Sequence, residues 1–158
     1  MQKVSRLPNL FRIYCFFRFL TRRCSALQDM AVHVIVSLTE LPLPSLCDSG
    51  TDLSRFRLHH VPVADGTAPS MSDLQAAVLF VESQLDAGSN VAVHCAAGIG
   101  RTGTLLTAVL MKRLRLPADE ALELLRRSRP GSVETAVQVE LLRAFGLKHP
   151  LLQPGLSA

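Results

Sequence analysis

The chain has 158 residues, 48% hydrophobic and 19% charged, with 9 Gly and 9 Pro. That is room for one globular domain with its own core, and it excludes a two-domain enzyme, a disordered chain and a collagen-like repeat. The formal net charge is +4, but residues 1–30 hold six cations against Asp29 alone, while the remainder comes to −1. The basic excess belongs to the first thirty residues, so a polyanion-binding face on the domain body loses its support and no nucleic-acid partner is expected. Cys15, Cys24, Cys47 and Cys95 include no C-x-x-C pair, which speaks against a thiolate zinc site and for a reduced, cytoplasmic setting.

Residues 1–30 contain four of the seven Phe and the single Tyr, Tyr14. Their longest uncharged apolar run, residues 13–17, is cut by Arg18; it is too short for a membrane span or a secretory signal. This segment is either a basic aromatic leader, suited to organellar targeting or to contact with a membrane surface, or a divergent first strand and helix whose aromatics are core. Residues 31–149 are expected to form the main domain and 150–158 a tail.

Along that domain, Val32-His33-Val34-Ile35-Val36-Ser37-Leu38 is a β-branched run closed by Leu41-Pro42-Leu43-Pro44, which predicts a buried strand and then a loop. A second strand is predicted over 55–63, ending in the loop Ala64-Asp65-Gly66-Thr67-Ala68-Pro69. Leu74, Ala77, Val78, Val81 and Leu85 recur at helical spacing, with Ser70 or Ser72 as start and Gly88 as stop. Val91-Ala92-Val93-His94-Cys95 lacks polar alternation, as expected of a central strand covered on both faces. A long helix is predicted over 102–116 and another from Pro117, with Asp119 and Glu120 at its start and Arg126, Arg127 and Arg129 near its end. After Pro130-Gly131, a last helix is predicted over 132–145. Alternating strands and helices make this an α/β domain with a mostly parallel central sheet flanked by helices.

The chemistry concentrates between the central strand and the long helix, in His94-Cys95-Ala96-Ala97-Gly98-Ile99-Gly100-Arg101-Thr102-Gly103. A loop running from a strand end into a helix start aims successive backbone N–H groups at one spot, and the helix dipole adds positive potential there. Gly98, Gly100 and Gly103 permit the backbone angles and close approach that such an anion cradle needs. It is not a nucleotide-binding loop, because no Lys precedes Thr102. Cys95 opens the loop, where amides, helix end and Arg101 all favour thiolate over thiol. Arg101 has the planar fork that grips two phosphate oxygens. Cys, Arg and a following hydroxyl form a weak pattern alone; His before the Cys and the spaced glycines make it specific.

This ten-residue run resembles the H-C-x-x-G-x-x-R-[ST]-G signature of cysteine-dependent protein tyrosine phosphatases, in their small dual-specificity branch. Val36-Ser37-Leu38-Thr39-Glu40, Val61-Pro62-Val63-Ala64-Asp65-Gly66 and Arg129-Pro130-Gly131-Ser132-Val133-Glu134-Thr135 are similar to segments of atypical dual-specificity phosphatases and kinase-associated phosphatases. The resemblance covers about residues 30–146 and implies a dual-specificity-phosphatase-like fold. By matching position it implies that Cys95 attacks phosphorus and that Arg101 and the amides of Ala96, Ala97, Gly98, Ile99, Gly100 and Arg101 bind the phosphoryl oxygens. Asp65 matches the general acid, Thr102 the hydroxyl that stabilises the departing thiolate, His94 a residue that orders the loop, and Gln138 a water-positioning glutamine. No metal or cofactor is implied, and a monomer acting on phosphoproteins is expected.

Each role has a plainer rival. Asp65-Gly66 alone is a turn, His94 alone a hydrogen-bonded core imidazole, and Gln138 alone an exposed helix residue. Asp48 and Asp52 lack a comparable local match, and Asp73 suits a first helical turn. His59 and His60 are neighbours in a strand and face opposite ways, which disfavours a shared metal. Cys47 is a candidate resolving thiol for Cys95 on oxidation. Phosphoproteins, phosphoinositides and RNA 5′-phosphates are the substrate classes open to this loop; Ala96, Ala97 and Ile99 offer no cation to a polyanionic headgroup, which favours phosphotyrosine, with phosphoserine and phosphothreonine second. A phosphate-binding scaffold without turnover is the alternative from another class.

Overall fold

In a computed structural model of the chain, which describes residues 2–3, 13–16, 27, 29–47 and 51–149, the strands form one sheet in the order β1-β2-β5-β3-β4. The strands are β1 (Gln2–Lys3), β2 (Ile13–Phe16), β3 (Val34–Ser37), β4 (Arg57–His60) and β5 (Val91–His94). Among the described residues, β1 and β2 pair antiparallel, while β2–β5, β5–β3 and β3–β4 are parallel. Helices α1 (Met71–Asp86), α2 (Gly100–Leu114), α3 (Ala118–Ser128) and α4 (Ala136–Lys148) complete an α/β domain. Among the described residues no helix is long and apolar enough to cross a membrane.

Strand side chains alternate between faces, and here both faces are apolar. Ile13, Val34, Val36, Val91 and Val93 join the four helices in the larger core. Tyr14, Ile35 and Ala92 point the other way, into a smaller cluster with Leu27, Val32, Leu43 and Phe56. Every residue of β3 and β5 is buried, which explains why their sequences show no polar alternation. Burying each such aliphatic side chain contributes on the order of 1.5–3 kcal/mol. The edge strand β4 differs: Arg57 and Leu58 are exposed, while the His59 ring stacks on Phe80 of α1 with centroids 4.0 Å apart.

The element boundaries depart from the sequence expectations in three places. Helix α2 begins at Gly100, two residues early, so Arg101 already belongs to its first turn. The predicted helix over 132–145 instead runs from Ala136 to Lys148. Residues 132–135 are a loop because Val133 has φ +64 and because Arg126 holds the Ser132 and Val133 carbonyls, both at 2.9 Å. A right-handed helix does not run through a left-handed residue, and the Arg126 contacts hold the segment in that turn. The strand expected over 55–63 is shorter as well, with Val61 and Val63 buried in the loop beyond it. Residues 1–30 contribute β1 and β2 to the sheet and Leu27 to the smaller cluster, with Met30 packed against it; the proposed tail over 150–158 and residues 1, 4–12, 17–26 and 28 fall outside the described residues.

Parallel strands end at a common edge, so the loops that follow β3, β4 and β5 gather there, and open α/β sheets place their sites at that edge.

Candidate active site

Cys95 is the first residue beyond β5 and is 2% exposed. Its Sγ accepts a hydrogen bond from the Gly98 N–H and another from the Thr102 hydroxyl, each at 3.2 Å. Both bonds strengthen when the sulfur carries negative charge. The chain turns back over the sulfur because Gly98 adopts φ +71, a conformation other residues rarely take. Gly100 and Gly103 serve a different purpose. A Cβ at Gly100 would collide with the Glu134 carboxylate, and one at Gly103 would lie 2.7 Å from the Val133 backbone nitrogen. Their bareness lets the start of α2 touch the 132–138 segment. Within the loop, Ala97 is exposed and Ala96 and Ile99 are partly exposed, whereas Gly98 and Gly100 are buried.

Arg101 is buried at 2% exposure. Its Nη1 donates to the Val63 carbonyl at 2.7 Å, the Leu38 carbonyl at 3.3 Å and Glu40 Oε2 at 3.2 Å; its Nη2 donates to Asp65 Oδ1 at 2.7 Å. The guanidinium thus ties together all three loops at the sheet edge. Sequence reasoning missed Glu40 in this role. Its carboxyl is held below the usual carboxylate range, first by its own backbone N–H, then by the Asp65 N–H at 2.7 Å, and further by Arg101. The available signal was its place just past a buried parallel strand, at the edge where sites form.

Asp65 lies in a tight turn in which Thr67 donates from both N–H and hydroxyl to the Ala64 carbonyl, at 3.2 and 2.7 Å. Its side chain is 75% exposed, with Oδ1 on Arg101. The structure therefore brings Asp65, Arg101, Thr102 and Cys95 to one edge. The rival acids sit elsewhere: Asp52 accepts from the N–H and hydroxyl of Ser54, and Asp73 from the hydroxyl of the α1 cap Ser70, while Asp48 lies outside the described residues.

Gln138 is not an exposed helix residue: it is 1% exposed. Its Oε1 accepts from the Glu134 N–H at 2.9 Å and the Thr135 N–H at 3.4 Å, and its Nε2 donates to the Thr67 carbonyl at 2.8 Å. It fastens the Asp65 turn to the start of α4. Cys47 packs against the smaller cluster whereas Cys95 belongs to the larger one; a Cys47–Cys95 disulfide has no support in this arrangement. His60 Nε2 meets the Thr39 carbonyl at 2.8 Å and His59 stacks on Phe80, so the two imidazoles diverge.

His94, 2% exposed at the end of β5, has its Nδ1 3.4 Å from the Cys95 carbonyl. Burial pushes its pKa from 6.5 down to about 4. The unfolded chain takes up this proton near pH 6.5 and the folded chain only near 4, so protons favour the unfolded state in that window. Stability is expected to fall as pH drops from 6.5 to 4, by about 1.4 kcal/mol per pH unit and about 3 kcal/mol in all from this group. His59, also lowered by burial, acts in the same direction. Urea titrations at pH 7, 6, 5 and 4 check this; in a folded His94→Gln variant the slope should flatten, and an unchanged slope would assign it to other groups.

A family model described as Tc-R-P: Polymorphic toxin system, DSP-PTPase phosphatase, matches residues 17–114. The chain belongs to the DSP-PTPase phosphatases. The chain is 44% identical over 78 residues to mouse dual specificity protein phosphatase CDC14B, a stretch that is 49% of this chain and 16% of that protein. It is 42% identical over 69 residues to the tyrosine-protein phosphatase CDC14 of Saccharomyces cerevisiae, covering 44% of this chain and 12% of that protein. The matched stretches thus span well under a fifth of the length of these curated relatives. Among solved structures, Tk-PTP in its active form superposes with a TM-score of 0.70 at 28% identity, covering 86% of this chain and 90% of that one. The human tyrosine phosphatase-like serine/threonine/tyrosine-interacting protein gives 0.76 at 17% identity, covering 90% and 95%, which is a likeness in fold.

Proposed function

We propose that this phosphatase removes phosphate from phosphotyrosine, and secondarily from phosphoserine and phosphothreonine, in proteins through a cysteinyl-phosphate intermediate and without a metal. One observation carries the reading: Cys95 Sγ sits under two hydrogen-bond donors at the start of α2, within a site whose Arg101 is paired with Asp65. The Cys95 thiolate attacks phosphorus, an S–P bond forms, and the P–O bond to the leaving group breaks. Asp65 gives its proton to the departing oxygen. Water then attacks phosphorus, Asp65 takes its proton, the S–P bond breaks and inorganic phosphate leaves, with Thr102 donating to the returning thiolate.

In the phosphate-bound state, a dianion draws Arg101 Nη2 away from Asp65, because a bidentate grip on two phosphate oxygens is stronger than one exposed carboxylate contact. Asp65 is thereby freed for the leaving group as the substrate is seized. The amides of residues 96–101, with Arg101, meet the charge that builds on the equatorial oxygens, and such contacts lower the barrier rather than merely tighten binding. Ala96, Ala97 and Ile99 supply no cation to further phosphates, which favours a phosphoprotein over a phosphoinositide or an RNA 5′-phosphate.

The experiment is a comparison of kcat/KM, in the presence of EDTA, on phosphotyrosine peptides, phosphothreonine peptides, phosphoinositides and RNA 5′-triphosphate. The phosphotyrosine peptides should lead. A lead of tenfold or more for lipid or RNA would reassign the substrate, and binding of inorganic oxyanion with no turnover on any of them would make the chain a scaffold.

A further inference from the structure

We infer that Arg129 is a positioning residue that holds the phosphate loop in its anion-accepting form from behind, an assignment resting on the proposal that this loop binds phosphate. Arg129 follows the last turn of α3 and is 7% exposed. Its Nη2 donates to the Gly98 carbonyl at 2.6 Å, while Nε and Nη1 find no hydrogen-bond partner among the described residues. A buried guanidinium that uses so few of its five donors is costly to fold around. What it touches is the turn of the loop that bends back over Cys95.

The neighbouring peptide is held from the same side. The Ile99 carbonyl accepts from the Val133 N–H at 3.5 Å and from the Gly103 N–H at 2.8 Å. The Val133 contact is possible because Gly131, with φ +81, turns the chain after Arg129, and because Arg126 secures the Ser132 and Val133 carbonyls. In a trans peptide the C=O and the following N–H point in opposite directions. Drawing the Gly98 and Ile99 carbonyls toward the 129–133 segment and α2 therefore turns the Ile99 and Gly100 N–H groups to the opposite side, available to an anion. Without Arg129 the Gly98–Ile99 peptide is free to rotate about the permissive glycine, which replaces an N–H donor with a carbonyl oxygen facing the phosphate. The buried positive charge also adds to the attraction for a dianion in this water-poor setting.

The test uses the full chain and tungstate, an oxyanion that binds without turning over. Arg129→Gln is expected to weaken tungstate binding by calorimetry at least tenfold and to raise KM for an aryl phosphate by a similar factor, with a smaller change in kcat. Arg129→Lys, which returns a charged donor, should recover most of the affinity. A merely structural role would lower the active fraction, and hence kcat, with KM and tungstate affinity unmoved. A folded Arg129→Gln protein that binds tungstate within twofold of wild type would overturn the inference. Should that variant fail to fold, a tungstate-bound crystal structure of the wild type decides: the Ile99 and Gly100 N–H groups on tungstate oxygens with Arg129 still on the Gly98 carbonyl is the expected result, and a Gly98 carbonyl released from Arg129 in the bound state is the contrary one. Wild-type protein that neither binds tungstate nor turns over would instead remove the phosphate-site reading itself, a failure visible before any variant is made.

Discussion

Cys95→Ser is expected to cost about 10⁴-fold or more in turnover while leaving tungstate affinity within a few-fold of wild type and thermal stability nearly unchanged. A serine hydroxyl can accept the same N–H from Gly98 and the same hydroxyl hydrogen from Thr102 that the sulfur receives at 3.2 Å, so the loop keeps its shape. It cannot do the chemistry. Gly98 and Thr102 are donors, not bases, and nothing described around the sulfur is placed to remove a hydroxyl proton, which a serine nucleophile requires. Turnover of an aryl phosphate and calorimetric titration of tungstate on the same preparation read both halves of this expectation. Retained activity in the variant would move the nucleophile away from Cys95.

The second large effect belongs to Asp65. Replacing it with Ala should slow kcat about 10²- to 10⁴-fold on phosphotyrosine, whose leaving group needs a proton, and much less on an aryl phosphate with a strongly electron-withdrawn leaving group. Asp65→Asn separates proton donation from the contact with Arg101, since an amide oxygen can still accept from Nη2, as Oδ1 does at 2.7 Å. If Asp65 acts by proton transfer, Asn and Ala lose equally on the poor leaving group. If its contribution is to hold Arg101, Asn is close to wild type. Equal losses across good and poor leaving groups would transfer the acid role to another residue.

Much of this site was legible in the sequence because its parts are contiguous. The run of residues 91–103 states a buried strand, a glycine-rich turn and a helix start in order, and those local signals fix where Cys95, Gly98 and Thr102 fall. What stayed hidden depends on segments distant in the chain. That Arg101 reaches Glu40 and Asp65, 61 and 36 residues away, follows from parallel strands ending at one edge, and no local pattern encodes those contacts. The burial of Gln138 is equally hidden, because its own helix gives no hint that the Thr67 carbonyl comes to meet it. The residues of the 132–135 segment tolerate a helix, but Arg126 and the left-handed Val133 decide otherwise. The glycines divide in the same manner: Gly98 is needed for its own backbone angle, whereas Gly100 and Gly103 are needed for what lies across from them. Strand β2 was the least legible element, since residues 13–16 fit a basic aromatic leader as well as a strand until β5 supplies a parallel partner.

The most direct measurement mixes the protein with a ³²P-labelled phosphotyrosine peptide, quenches in acid within a turnover, and maps the label by digestion. The expected result is covalent phosphate on the peptide that carries Cys95, formed in wild type and absent in Cys95→Ser. Steady turnover with no label on Cys95, or label that persists in the serine variant, would contradict the account.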